Sequence, residues 1–176
     1  MDKKALRKEV RATLAAMPDD VKLEKSTMLA LALVVHPWVR DARVIALFSP
    51  LGDEPQIGEI IDVISQERTV VLPRIIGDEM EFYAYSPLLM CKGAYGIMEP
   101  VCGEAIAPEE IDVMIVPGVV FTPEGGRCGR GKGYYDKYMS RKGFRAHTIG
   151  VCYEEQISSL LHCETHDVAV NEVIYR

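Results

Sequence analysis

Leu6, Val10, Leu14 and Met17 recur at helical spacing near the start of the chain, and Pro18 closes the run. That pattern predicts a helix over residues 2–17. Lys3, Arg7 and Arg11 repeat at i, i+4 and i+8, so they share a stripe off the apolar face. A second helix is predicted over 20–35. Its run 28–35 is the longest unbroken apolar stretch in the chain, far below the ~18 residues that suggest a membrane span. Beyond it, short apolar runs alternate with amphipathic ones. Residues 43–48, 69–72, 80–85, 111–116 and 148–152 read as strands, and 168–175 as a strand or extended segment. Residues 57–66 and 133–142 read as helices. Short apolar strands between amphipathic helices imply a mostly parallel sheet covered on both faces. No repeat or linker interrupts the pattern, so one α/β domain is expected over residues 1–176. In such sheets ligands bind beyond the carboxyl ends of the strands, at a topological switch point.

Composition narrows the class without changing it. Of 176 residues, 48% are apolar and 26% charged, which excludes disorder, collagen-like repeats and coiled coil. The N-terminal segment has no apolar core of the kind a secretory signal carries. The five cysteines, Cys91, Cys102, Cys128, Cys152 and Cys163, are scattered without a C-x-x-C pair. Reduced thiols and a cytoplasmic setting are therefore expected. His162, Cys163 and His166 lie close together, but no second cluster completes a tetrahedral zinc site.

The charge distribution says more than its sum. Residues 127–145 hold seven bases against one acid, a local +6 that leaves −12 for the rest of a chain whose net charge is −6. Residues 99–126 contain no Lys or Arg. An acidic protein with one basic stretch repels long nucleic acid and suits a small polyanion held at one place.

That stretch also carries the candidate chemistry. A strongly apolar strand runs into Pro117-Gly118 and then into a loop with glycines at 125, 126, 129, 131 and 133, among which Arg127, Arg130 and Lys132 are interleaved. Glycines let the backbone approach a ligand closely, and successive amides ahead of a helix make an anion-binding concavity. The natural guest is a triphosphate. Gly126-x-x-x-x-Gly131-Lys132 matches the first part of a P-loop, but Gly133 replaces the hydroxyl residue that would hold Mg²⁺. A carboxylate from elsewhere would have to serve, and Asp136 lies one helical turn on. The alternative is a solvated basic loop; its position between a buried strand and a helix favours the anion site. The N-terminal stripe has the same two readings: a solvated helix face, or a second clamp on the polyanion.

The decapeptide Arg127-Cys128-Gly129-Arg130-Gly131-Lys132-Gly133-Tyr134-Tyr135-Asp136 resembles the signature of the 5-formyltetrahydrofolate cyclo-ligases. Weaker matches follow in order along nearly the whole chain: Lys3-x-x-Leu6-Arg7, Asp53-Glu54, Leu72-Pro73-Arg74, Val116-Pro117-Gly118 with Phe121, Glu155-Gln156-Ile157, Asp167, and Glu172-Val173. The resemblance implies a Rossmann-like three-layer α/β sandwich. It implies conversion of 5-formyltetrahydrofolate to 5,10-methenyltetrahydrofolate with ATP as cosubstrate and Mg²⁺ as metal.

By the same resemblance, ATP would lie on Lys3, Lys4, Arg7, Arg127, Gly129, Arg130, Gly131, Lys132, Gly133, Tyr134 and Tyr135. Arg130, Lys132 and Tyr135 would act in catalysis. Ser49, Glu54, Arg74 and Tyr135 would contact the reduced folate, and Asp136 and Asp167 the metal. Asp136 otherwise reads as a first-turn helix charge, Asp167 as a turn residue, and Glu54 as an exposed loop acid. The sequence departs from the family pattern at Cys128, where Leu is usual, at Ile57, where Thr is common, and at Asn171, where Asp is frequent. No nucleic-acid or membrane partner is expected, and the protein should be a monomer or weak homodimer. Two other functions fit the same loop: an ATP-dependent enzyme of this fold acting on a different amide or carboxylate, and a noncatalytic nucleotide- or RNA-binding module.

Overall fold

The computed structural model describes residues 2–93, 96–101 and 103–176. Helix α1 (Lys3–Ala16) buries Leu6, Val10 and Leu14, the stripe its periodicity marked out. Helix α2 (Asp19–Val34) starts behind Pro18 with Asp19 and Asp20 in its first turn, where acids complement the helix dipole. Pro37 then opens a short helix, α3 (Pro37–Asp41), which the sequence pattern did not mark.

The rest of the chain builds the sheet. Strand β1 (Val44–Ala46), helix α4 (Glu59–Ser65), β2 (Thr69–Ile76) and β3 (Glu79–Ala84) come first. A hairpin of β4 (Met90–Lys92) and β5 (Met98–Pro100) follows, then β6 (Val113–Val116) and a small pair, β7 (Val120–Phe121) with β8 (Arg127–Cys128). Helix α5 (Tyr134–Met139), β9 (His147–Cys152) and β10 (Glu172–Tyr175) complete the order. The main sheet has six strands in the order β10-β9-β6-β1-β2-β3, parallel except for β3, which turns back on β2.

Alternate residues along each strand face opposite layers, as the two-residue period of a strand requires. Ile45, Val70, Leu72, Val113 and Ile115 pack with α1, α2 and α4 on one face. Ala46, Val71, Met114 and Val116 pack with Tyr138 and Met139 of α5 on the other. The result is the expected three-layer α/β fold. From β1 the chain moves to β2 on one side and later returns to β6 on the other, so the switch point lies beyond the ends of β1 and β6.

Beyond α3, three elements and two small hairpins differ from the sequence reading. β2 runs through Pro73 to Ile76, because its pairing with β1 has ended by then and a proline is tolerated on an edge. α5 stops at Met139 rather than 142, in a turn followed by Gly143 at φ 88°. β10 covers only 172–175. The two small hairpins were not anticipated, being two or three residues per strand. Cys91, Cys128, Cys152 and Cys163 are free thiols, while Cys102 lies outside the described residues. Among the described residues no helix is long and apolar enough to cross a membrane.

Candidate active site

The connection after β1 carries Ser49, Asp53 and Glu54, the one after β6 starts at Pro117-Gly118, and the glycine-rich loop follows β8. These segments meet at the switch point, and α1 lies across them. Together they enclose a cavity of about 890 Å³. Its lining includes Lys3, Lys4, Arg7, Arg127 and the whole run Gly129–Tyr135, together with Ser49, Glu54, Asp136 and Asp167. The structure thus gathers every predicted site residue but one. Arg74 is not part of the lining; its Nη1 donates to the Val101 carbonyl at 3.1 Å.

Gly131 has a φ of 97°, one that side chains rarely adopt. The Arg7 guanidinium sits about 3.9 Å from where its Cβ would be. The loop can therefore fold back beneath α1 and present its cations to the cavity. α5 has only six residues, so these side chains and the loop backbone, rather than a long helix dipole, make the anion site.

Four cations of this site are already engaged by acceptors, three of them from distant parts of the chain. Lys3 Nζ donates to Asp167 Oδ2 at 2.6 Å and stands 3.0 Å from Glu164 Oε1. Arg7 Nε donates to the Gly129 carbonyl at 2.7 Å. Arg127, 3% exposed, donates from Nη2 to Asp136 Oδ2 at 2.7 Å, and its guanidinium lies 5.5 Å from the Tyr135 ring centre. Arg130 Nη2 bonds Asp53 and reaches Glu54 Oε1 at 3.1 Å. Lys132 has no ion pair among the described residues. Arg127 Nε is buried without a partner among the described residues, and such orphans are uncommon away from functional sites.

The carboxyls respond to this setting in two directions. Desolvation pushes Asp53 up, but its hydrogen bond to Arg130 and the charges of Arg130 and Arg11 prevail and hold it below the usual value. Asp167 behaves the same way: the Lys3 ammonium and the Glu164 amide outweigh its burial. In Glu54 burial wins over the Leu51 amide and Arg130, and the carboxyl is raised. Burial also raises the Tyr135 hydroxyl, so Tyr135 stays a neutral donor at any ordinary pH.

Asp136 Oδ1 accepts the Val168 amide at 3.1 Å, so its carboxylate stands beside the chain segment that carries Asp167. Two hard oxygen donors on one wall fit Mg²⁺ when phosphate oxygens and water complete the shell. Among the described residues no group of three His, Cys, Asp or Glu side chains gathers to hold an ion unaided.

The cavity has two chemically distinct ends. Cations and the glycine loop form one, and Phe48, Pro73, Ile75, Met80 and Ile97 form an apolar slot at the other. Glu99 of β5 also lines the cavity and was missed by the sequence reading. The available signal was an inverted alternation: on β5 the apolar Met98 is 48% exposed while Glu99 is 4% exposed.

Comparison with known proteins places this architecture. A sequence model of the 5-formyltetrahydrofolate cyclo-ligase family matches residues 1–176. The chain belongs to this family. Among cyclo-ligase relatives, the mouse 5-formyltetrahydrofolate cyclo-ligase is 29% identical over 98% of this chain and 93% of its own. The solution structure of the 5,10-methenyltetrahydrofolate synthetase from Aquifex aeolicus superposes with a TM-score of 0.90 at 32% identity, covering 99% of this chain and 90% of that one. A 5,10-methenyltetrahydrofolate synthetase from Mycoplasma pneumoniae gives a TM-score of 0.79 at 26% identity, over 99% and 98% of the two chains. The cyclo-ligase fold therefore extends over essentially the full length of the chain.

Proposed function

We propose that this protein converts 5-formyltetrahydrofolate to 5,10-methenyltetrahydrofolate, with ATP cleaved to ADP and phosphate. The observation that carries the reading is the two-ended cavity at the switch point. One end offers cations to a polyphosphate, and the other offers an apolar slot to a flat heterocycle.

The chemistry needs such an arrangement. The N5-formyl group is an amide, and its oxygen is a poor leaving group. Its oxygen attacks the γ-phosphorus of ATP and ADP departs, leaving an iminium phosphate. N10 then attacks the formyl carbon and gives up its proton, and the C–O bond breaks to release phosphate. The protein supplies positioning and charge stabilisation. Lys132 is the cation available for the transferring phosphoryl group. Arg130 stands between the phosphate loop and the Glu54 carboxylate, and so aligns the two substrates. Asp136 and Asp167, now paired with Arg127 and Lys3, would hold Mg²⁺ where phosphates take over those cations. That ion would neutralise charge on the phosphates. Tyr135, neutral and half-buried beside Arg127, can donate a hydrogen bond at the folate end.

The deciding experiment follows the near-ultraviolet absorbance of methenyltetrahydrofolate formed from 5-formyltetrahydrofolate. The band should grow only with MgATP. Absence of the band with ATP binding retained in calorimetry would refute the folate substrate and leave the phosphate site standing.

A further inference from the structure

Two buried hydroxyls stand outside the cavity and outside the mechanism above. Ser26 is on the inner face of α2 and Tyr153 directly follows β9; each is 1% exposed, and neither lines the cavity. Their oxygens are 2.9 Å apart. Ser26 Oγ also accepts the Gln56 amide at 3.0 Å, and Tyr153 donates a longer bond, 3.3 Å, to the Glu54 carbonyl. With the Tyr153 proton on Glu54, the Ser26 proton fills the contact between the two oxygens. Burial raises the Tyr153 hydroxyl, so it keeps its proton. Tyr153 is itself fixed: Gln156 Oε1 accepts its amide at 2.9 Å, while Gln156 Nε2 donates to the Gly118 and Val119 carbonyls at 2.8 and 3.1 Å.

Both backbone groups held by this pair belong to one turn, Glu54-Pro55-Gln56, and the Glu54 side chain of that turn lines the cavity. Its oxygens accept the Leu51 amide at 2.9 Å and Arg130 at 3.1 Å. The exposed Gln56 amide group donates to the Leu51 and Glu54 carbonyls, which closes the loop on itself. Ser26 and Tyr153 instead tie it to α2 and to the end of β9. Hydrogen bonds are directional, so they fix the turn more narrowly than apolar packing does, and small misplacements at a site are costly. We propose that the Ser26–Tyr153 hydroxyl pair positions the Glu54 carboxyl for the folate, acting through the backbone of the Glu54–Gln56 turn. This rests on the folate reading given above, in which Glu54 contacts the reduced folate. Both are positioning residues, since neither reaches the cavity.

The experiment is calorimetric titration with 5-formyltetrahydrofolate and, separately, with ATP. The proteins are wild type, Ser26→Ala, Tyr153→Phe, Glu54→Gln, and each hydroxyl variant combined with Glu54→Gln. Tyr153→Phe keeps the ring that packs in the core and removes only the hydroxyl. Each hydroxyl variant should bind the folate about 3- to 10-fold more weakly, the worth of one hydrogen bond. ATP affinity should stay unchanged, because Lys3, Arg7, Arg127 and Lys132 line the cavity from other segments. Steady-state KM values should show the same split between the two substrates. In the Glu54→Gln background neither hydroxyl variant should add a comparable loss, because residues that act through one contact are not additive. Equal losses for both ligands, full additivity with Glu54→Gln, or unchanged folate affinity in both hydroxyl variants overturns the assignment. If Tyr153→Phe does not fold, Ser26→Ala decides by the same criteria, and failure of both to fold marks the pair as purely structural and overturns it. Failure of wild type to bind 5-formyltetrahydrofolate at all would instead remove the folate reading, and the proposal with it.

Discussion

At the scale of single residues, the site is a set of opposite charges held ready for exchange. Replacing Lys132 with Ala removes a cation that has no ion pair among the described residues and is exposed, so folding should hardly change. Turnover should nevertheless fall about 10²-fold or more, the usual scale for losing a contact to charge that develops in the transition state. Steady-state rates on folded protein check this, and near-wild-type turnover would contradict the role. Glu99 gives a prediction of the opposite kind. Burial raises its carboxyl above the usual 4.5, against the pull of Arg74 and the Ile75 amide. The folded state therefore holds this proton more tightly than the unfolded chain does. Its contribution to stability is full below 4.5 and is lost as pH rises through the higher folded value. Glu99→Gln should thus melt at or above the wild-type temperature at neutral pH, with the gap closing toward pH 4. A variant that melts lower at neutral pH would show that the Ile75 amide and Arg74 outweigh the burial of the carboxylate. The glycine and cation positions of the phosphate loop were legible in the sequence because they are contiguous. The partners of those cations were not: Lys3 meets Asp167 across 164 positions, and Arg7 meets Gly129 across 122.

At the scale of elements, α1 joins stability to the site. One face buries Leu6, Val10 and Leu14, while Lys3 and Arg7 reach Asp167 and the Gly129 carbonyl, and Arg11 pairs with Asp53 at 3.2 Å. The helix does lie over the loop, which is the arrangement the clamp reading of the basic stripe requires. Leu14 is 2% exposed and sits two helical turns from Leu6. Truncating it to Ala should cost about 2–5 kcal/mol. In a chain of this length that is roughly 5–20 °C in melting temperature. ATP affinity should fall in parallel, although Leu14 touches no part of the cavity. Hydrogen exchange should show α1 amides losing protection ahead of the sheet. Loss of stability with unchanged ATP affinity would show that α1 is only a cover. Periodicity revealed α1 and the central strands because each repeats its pattern several times. It could not reveal the β4–β5 hairpin, three residues on each side, and so it hid Glu99.

At the scale of the whole molecule, the cleft closes the two ends of the chain on each other. Lys3 near the start meets Asp167 near the end, and Lys25 donates to Glu155 at 2.8 Å and to the Arg176 carbonyl at 3.1 Å. The central strands hold the switch point, while α1, the glycine loop and the turn at 164–167 border the cavity from separate parts of the sequence. A polyphosphate that replaces the internal acids therefore bridges segments that unfold far apart. It binds the folded state alone, and at 100 times its dissociation constant it should stabilise that state by about 2.7 kcal/mol. For a protein of this size the melting temperature should rise by roughly 5–10 °C, in one cooperative transition. Lys3→Ala should blunt the rise without removing it, because Arg7, Arg127, Arg130 and Lys132 remain. Thermal melts across a MgATP titration test this directly. A separate early transition that ATP leaves unmoved would mean that α1 opens independently of the sheet, and that the chain ends are not clasped by the site.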